Sequence, residues 1–580
     1  MKKALIAILL ILSTVSICYA DFVDKSKVSE IANRWFGCDD FTITISDDGT
    51  LYYVNADKGG WLILSAEDST TPILGYNDSG SINIEKMPSH IRSFLGNYSK
   101  TIEEGRQYSL QANAKVKTMW RTAGFRTKTS TGKLLKTANW DQDEPYNLYC
   151  PTVTENGRKY TALTGCVATS TAIIMRYHRW PERGKGTIGG YTYTSDYNKK
   201  VNIPSYSIDD HIYDYDLMPL NYTSSATTAQ KEAVSLLMHD LGVMFKANYN
   251  YQTGTGAYAE DIQDALYEYM GYSGNAYHLY RSACSSDAEF IRIIKAEIDA
   301  DRPIPYGGSD PQNGGHQFLC DGYDSKDYVH INWGWSGDMN GYFAFDLNVP
   351  GQYSFYQDQS IIVGLEPDRE SSTTSNGGPI VLASDSSLPG YKGITITNGS
   401  LESKSFSVKV GGLYNLDMNL AYNGKLRMVL SDYRGNVKEV ISKEQSLVVD
   451  KSELKGISEI KCQISKEYAL GDRVQAQYLA KGGTWSTINC FTDYASFTNG
   501  IAVIDTPFIL TEDSYSAGDS FILELIPGNS YIKTYTWYFD GAKQSHISVS
   551  PLSSGVHTIL AKVTLSNGTI LNIKQQIMVN

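Results

Sequence analysis

A cysteine attacks a carbonyl only as its thiolate, so the informative cysteines are those whose surroundings stabilise an anion. In Thr164-Gly165-Cys166-Val167-Ala168-Thr169-Ser170-Thr171-Ala172 the glycine permits a sharp turn, and the small residues that follow suit a tightly packed helix. Cys166 then falls in the first helical turn, where unpaired N–H groups and the positive end of the dipole lower a thiol's pKa. A buried cysteine that simply opens a helix explains these residues equally well. A base decides between the two readings.

Nine histidines are available. His178 sits on the same expected helix, twelve residues on, which at 1.5 Å per residue is about 18 Å away and out of hydrogen-bonding reach. His90 belongs to an N-terminal block, and His546 and His557 lie near the C-terminus. His211, His239 and His278 carry no local signature, and His330 lies inside an expected strand. His316 is different. Gly314-Gly315-His316-Gln317-Phe318-Leu319-Cys320-Asp321-Gly322-Tyr323 sets it after two glycines at a strand entry, where a substrate backbone can approach closely.

Two accessory groups complete a nucleophilic site. An oxyanion needs donors, and Gln142, in Trp140-Asp141-Gln142-Asp143-Glu144-Pro145-Tyr146-Asn147, is placed upstream of the cysteine to donate together with the Cys166 N–H. Taken alone, Gln142 is an ordinary loop residue. The imidazole needs an orienting group, and His330-Ile331-Asn332-Trp333-Gly334-Trp335-Ser336-Gly337 offers Asn332 as an acceptor and Trp333 as a shield. Trp335 is a candidate cleft wall. Packing alone also explains tryptophans on alternate strand positions. Thr255, Gly256 and Gly315 are the candidate binders of a peptide backbone. There is no His-Glu-x-x-His and no Cys/His ligand cluster, so no metal or other cofactor is expected. A phosphate-binding Gly-Lys-Ser/Thr loop is also missing from the sequence.

The elements that must position these residues emerge from periodicity. Val28, Ile31, Ala32, Trp35 and Phe36 recur at helical spacing, strand-like runs follow at 50–55 and 60–65, and Ile91, Phe94, Leu95, Tyr98 and Ile102 mark a second helix. The polar stretch from Arg121 to Lys136 reads as an exposed, nickable connector. Next come helices, at Cys166, 230–245, 260–272 and 287–301, and then strands at 317–322, 328–333, 342–345 and 360–365. Helices followed by an antiparallel sheet give an α+β pattern of two lobes with a cleft between them. Ser371 to Gly378 is a flexible linker by composition, and beyond it short alternating runs indicate two β-sandwich modules.

The chain has 580 residues with a net charge of −12, so several domains are expected, with no basic footprint for nucleic acid. Lys2 and Lys3, the apolar run from Ala4 to Ile17 and Cys18-Tyr19-Ala20 form a secretory signal peptide too short to span a membrane. A lipoprotein anchor on Cys18 is disfavoured by Ile17 in a small-residue position. No later segment is expected to cross a membrane. Without Cys18, seven cysteines remain, and an odd number in an exported protein leaves at least one free thiol. Cys462 and Cys490 are candidates to pair, although nothing in their spacing demands it.

With these motifs in order, the sequence resembles the streptopain family of secreted bacterial cysteine peptidases, in the papain-like clan. The resemblance runs from about Asp21 to Glu366 and rests on Gly165-Cys166-Val167-Ala168-Thr169, Gly314-Gly315-His316, Asn332-Trp333-Gly334-Trp335 and Trp140–Asn147. The Cys166-to-His316 separation also falls within the roughly 130–150 residues of papain-like enzymes. The resemblance implies a nucleophile at Cys166, a base at His316, an oxyanion donor at Gln142 and a tryptophan near the third-member position at Trp333. Leu62-Ile63-Leu64-Ser65-Ala66-Glu67-Asp68 and Pro72-Ile73-Leu74-Gly75-Tyr76 are similar to the family's propeptide, which folds separately and occludes the cleft. Gln317, Cys320 and Ser336 depart from the family's smaller or apolar residues and bear on substrate fit.

The expected architecture is therefore α+β: a two-lobed papain-like peptidase domain, an α+β propeptide before it and two all-β sandwich modules (Ig/PKD-like) after it. The boundaries are 1–20 signal peptide, 21–120 propeptide, 121–134 connector with the activation cleavage, 135–368 peptidase, 379–498 first module and 499–580 second module. The expected function is a secreted or cell-surface cysteine endopeptidase made as a zymogen. It would act on proteins or peptides and be inhibited by its own propeptide. The rival is a surface adhesin or haem/host-protein binding protein that works through its β modules, its peptidase domain vestigial. Acyl transfer such as transglutamination uses the same dyad and differs in its products.

Overall fold

The computed structural model describes residues 22–107, 112, 114–125, 132–345 (except 275, 282–286 and 311–313), 359–369 and 380–382, and from 393 onward all but short stretches, the longest being 489–499. The expected signal peptide, the 371–378 linker, the central part of the connector and the centre of the second module's expected boundary lie outside these residues.

The N-terminal block begins with helix α1 (Lys25–Phe36), whose Asp24 cap accepts from the Lys27 N–H and which ends at Gly37 in a left-handed conformation. Four antiparallel strands follow, where two were expected: β1 (Phe41–Ile45), β2 (Leu51–Ala56), β3 (Trp61–Ser65) and β4 (Ile73–Asn77). Strand β1 is largely exposed, so its apolar signal is weak. Strand β4 is disguised by Gly75, which the fold needs, because a Cβ there would meet the Phe343 ring at 3.0 Å. Helices α2 (Ser89–Gln107) and α3 (Ala114–Thr122) complete the block. The expected connector thus begins within a helix. It also ends in a strand, β5 (Lys133–Leu134).

The next region carries α4 (Cys166–His178), the hairpin β6 (Tyr191–Thr194) and β7 (Lys200–Ile203), α5 (Thr228–Met244), α6 (Asp261–Met270), β8 (Tyr277–Tyr280) and α7 (Asp287–Asp299). Strands β9 (Ile304–Asp310), β10 (Gly314–Tyr323), β11 (Val329–Asn332), β12 (Gly341–Phe343) and β13 (Ser360–Val363) follow. One antiparallel sheet takes in both regions, in the order β1-β2-β3-β4-β12-β11-β10-β9-β13-β8, with β5 beside β10. The seam is the β4–β12 pair, with Tyr76 opposite Tyr342 and Gly75 opposite Phe343. Tyr98 and Tyr328 hydroxyls cross it to the carbonyls of Ala344 and Ile73, at 2.8 and 2.7 Å.

Strand alternation divides the interior in two. Phe318 and Cys320 of β10 join the core that contains α2 and the N-terminal sheet, and Leu319 joins the core around α4, α5 and α6. Helix α4 is buried from Val167 through Met175, as befits a helix apolar nearly all round.

After residue 380 two antiparallel sheets share one apolar core, and a further sheet of 532–539, 542–544, 555–565 and 570–579 closes the chain. Gly500–Ala502 pairs with Arg473–Gln475, so the residues expected to open the second module belong to the first. Among the described residues Cys38, Cys150, Cys166, Cys320 and Cys462 are free thiols; Cys490, the candidate partner of Cys462, lies outside them.

In the last sheet both ring nitrogens of His557 face acceptors, Asp540 at 2.7 Å and the Ser553 carbonyl at 2.7 Å. The charged imidazolium satisfies both, and these bonds, Asp540 first, raise its pKa above the usual 6.5. A raised histidine stabilises the fold at low pH, and that contribution disappears as pH climbs through the raised pKa. Hydrogen exchange of residues 555–565 in the full chain should therefore quicken between pH 6 and 9. His557→Gln should flatten that dependence.

Candidate active site

Cys166 opens α4 directly after Gly165, whose φ of +91° disfavours any side chain. Space forbids one too: a Cβ at 165 would meet Thr255 Cγ2 and the Thr255 carbonyl oxygen at 3.0 Å. Cys166 is half-buried, and the loss of solvent around its sulfur pushes the thiol pKa up. Opposing that, the backbone N–H groups of Gln317, Val167 and Cys166 itself point at the sulfur. The helix end supplies two donors and β10 the third, a cradle suited to an anion.

Gln142, 4 % exposed, lines one small cavity with Cys166, Ser170, Gln317 and Trp333. Its carbonyl accepts from the Thr164 N–H at 3.0 Å and its N–H donates to Asp141 at 2.7 Å. The segment is further fixed by Trp140, whose indole N–H reaches the Pro219 carbonyl, and by Ser336, which donates to Asp141 at 2.6 Å. Gln142 and Cys166 are thus held on two walls of the same cavity.

His316 enters on β10, one residue before the N–H that meets the sulfur. Its ring stacks on His90 of α2 with centroids 3.6 Å apart and planes 24° apart. His90 in turn lies against Trp335 at 5.2 Å and 21°. The ring is directed at the Trp333 carbonyl, and the Nε2 atoms of both His316 and His90 are buried without a hydrogen-bond partner. Burial drives the His316 pKa down to about 3; burial and then the His316 ring drive that of His90 to about 2. Both imidazoles are therefore neutral, and the Cys166 thiol, its pKa raised by burial, is protonated.

Asn332, expected to accept from His316, bonds here to its own loop and to residues 137–138. Its amide donates to the Ala138 carbonyl at 2.9 Å and to Thr137 at 3.2 Å, and its oxygen accepts from the Gly334 N–H. Trp333 is buried with its indole N–H on the Met339 carbonyl, against Phe318 and Phe94. Gly315 is exposed at the strand entry, as is Gly256 beyond the buried Thr255. Other histidines are engaged away from the cysteine: His178 with Tyr272, His278 with Ser360 and His211 with Asp240.

Sequence reasoning missed His90. It assigned the residue to the N-terminal block, and no local pattern joins positions 90 and 316. Only the fold brings α2 over the start of β10.

A thiol cradled by N–H groups, with an amide in the same cavity and a histidine one residue from the sulfur's third donor, is the equipment of a cysteine peptidase. The peptidase C10 family model matches residues 140–343, and the Spi protease inhibitor model matches residues 20–102. Streptopain of Streptococcus pyogenes is 32% identical over 336 residues, which span 55% of this chain and 81% of that one. The chain belongs to the streptopain family, peptidase C10. It is also 27% identical over 458 residues to the thiol protease/hemagglutinin PrtT of Porphyromonas gingivalis, covering 73% of this chain and 50% of that protein. Among solved structures, a cysteine-to-alanine variant of a Prevotella intermedia prointerpain A fragment aligns with a TM-score of 0.47 at 27% identity, over 56% of this chain and 99% of that one.

Proposed function

We propose that the protein is an exported zymogen whose mature form cleaves proteins with Cys166 as nucleophile and His316 as base. The observation that carries this is the N–H cradle around the Cys166 sulfur, with His316 covalently next to its third donor. In the precursor His90 holds the imidazole. Cleavage within 121–134 and departure of the propeptide free the ring to turn to the sulfur and take its proton. The thiolate then attacks the scissile carbonyl, and Gln142 with the Cys166 N–H receives the oxyanion. His316 protonates the departing amine, then activates the water that hydrolyses the thioester. Trp333 shields the imidazole from water, Trp335 walls the leaving-group side once His90 is gone, and Thr255, Gly256 and Gly315 lie along the peptide's path.

Residues 1–20 serve as the export signal; among the described residues no helix is long and apolar enough to cross a membrane. The sheets beyond 380 are two sandwich modules of the Ig/PKD-like kind. The alignment with PrtT outruns the propeptide and peptidase together, and the word hemagglutinin in that protein's name supports surface or host-protein attachment as the modules' role.

Casein digestion tests the reading: new peptide termini support hydrolysis, and isopeptide cross-links in their place would overturn it in favour of acyl transfer. Gln142→Ala in the processed enzyme should lower kcat by roughly 10²–10³ with little change in KM, as for loss of one oxyanion donor. Unaltered kcat would remove Gln142 from the mechanism.

A further inference from the structure

The segment from Asn248 to Gly256 forms a closed loop whose ends are joined by a pair of backbone hydrogen bonds between those two residues. One end of it touches the residue before Cys166, because the Thr255 side chain and carbonyl oxygen are what leave no room for a Cβ at Gly165. The Thr255 hydroxyl strengthens that contact, donating to the Leu163 carbonyl at 2.7 Å and accepting from the Asn250 N–H. Thr253 and Gly256, on either side of the buried Thr255, remain exposed.

The middle of the loop closes on one carboxylate. Asp196, in the turn between β6 and β7, accepts the N–H groups of Tyr251 at 3.0 Å, Gln252 at 2.6 Å and Thr253 at 3.0 Å, together with the Thr253 hydroxyl at 3.3 Å. Its own N–H donates to the Asn250 side chain at 3.1 Å. Three consecutive N–H groups aimed at one anion form a charge-assisted nest. Burial alone would raise the Asp196 pKa, but these bonds outweigh it and the net shift is downward. The bonds therefore favour the charged carboxylate. Nothing else charged is required to explain the loop's shape.

We infer that Asp196 is a positioning residue for proteolysis: through Tyr251–Thr253 it fixes the Thr253–Gly256 segment at the distance from Cys166 at which that segment binds a substrate peptide. The inference rests on the proposed role of Thr255 and Gly256 in binding. Asp196 touches neither the sulfur nor the imidazole, so its loss should weaken substrate capture and leave the bond-breaking step intact. A binding contribution common to ground and transition states appears in KM, and one confined to the transition state appears in kcat.

The test uses the full chain after processing, with a peptide substrate, comparing wild type, Asp196→Ala and Asp196→Asn. Asp196→Ala is expected to raise KM about tenfold with kcat within about twofold, and Asp196→Asn, which keeps an acceptor without the charge, to fall between them. The rate of Cys166 alkylation by iodoacetamide should be the same in all three. A KM unchanged in both variants, or a fall in kcat without a rise in KM, overturns the inference. Should the alanine variant fail to fold, the asparagine variant decides alone: a raised KM supports the role and an unchanged KM refutes it. Failure of the wild type to cleave any peptide would sink the proteolytic reading itself, and the parallel wild-type assay reveals that separately.

Discussion

With alanine in place of Cys166, the expressed chain is expected to remain full length while wild type shortens to a product lacking the N-terminal block. The expected loss of peptidase activity is on the order of 10⁴-fold or more, the scale on which a catalytic unit collapses when its nucleophile is removed. The substitution is mild for the fold. Cys166 opens α4 at a position where alanine is an excellent helix former, and the main-chain N–H groups that cradle the sulfur stay where they are. Lost processing with an unchanged unfolding transition, followed by electrophoresis and mass spectrometry, therefore reports chemistry. Equal trimming of both proteins would show that another protease cuts the connector and would remove Cys166 from the role of nucleophile.

The second large effect is expected from pH and concerns the His90–His316 stack. Each ring is neutral when the propeptide is docked, with pKa values near 2 and 3, whereas a freed imidazole titrates near 6.5. Between 6.5 and 3 the undocked state thus binds more protons than the docked one, and docking weakens as pH falls. The groups acting on His90 are its burial and His316; those acting on His316 are its burial and the Trp333 carbonyl. No carboxylate is among them to offset a charge. Below 6.5 each imidazole shifts the docking equilibrium by up to roughly tenfold per pH unit. In the uncleaved Cys166→Ala chain, hydrogen exchange of the α2 amides should accelerate between pH 7 and 5.5. His90→Phe keeps a planar ring in the stack and removes one proton, so the slope should halve. An identical slope in both proteins would mean that some other group carries the acid response.

The peptidase was legible because its chemistry is encoded locally. A glycine before a cysteine at a helix start, two glycines before a histidine, and an Asn-Trp-Gly-Trp run at the end of a strand are short patterns with a physical reason at each site. The helices of the peptidase were legible as well, their apolar periodicity running over three turns or more, and α4, α5, α6 and α7 lie close to the expected spans. Strands β1 and β4 escaped because one is exposed and the other is broken by a glycine that a distant phenylalanine requires. The end of the first C-terminal module escaped for a related reason: Gly500–Ala502 is defined by its partner strand. Asn332 reads from its neighbours as an imidazole acceptor, yet its amide ties Thr137 and Ala138 to the tryptophan loop. What sequence cannot convey is contact between segments far apart in number, and His90 is the clearest case.

Under the proposed maturation, the β4–β12 seam adds a cost beyond the loss of an inhibitor. While the propeptide stays, Phe343 is buried, Tyr342 is half-buried, and both are paired across the seam with β4. Once it leaves, their strand becomes a raw border of the sheet, its amides and carbonyls bare and its aromatic rings wet, the arrangement that invites strangers to add a strand. The finished enzyme should accordingly be a stickier, shorter-lived molecule than its precursor, active for as long as that border escapes being covered.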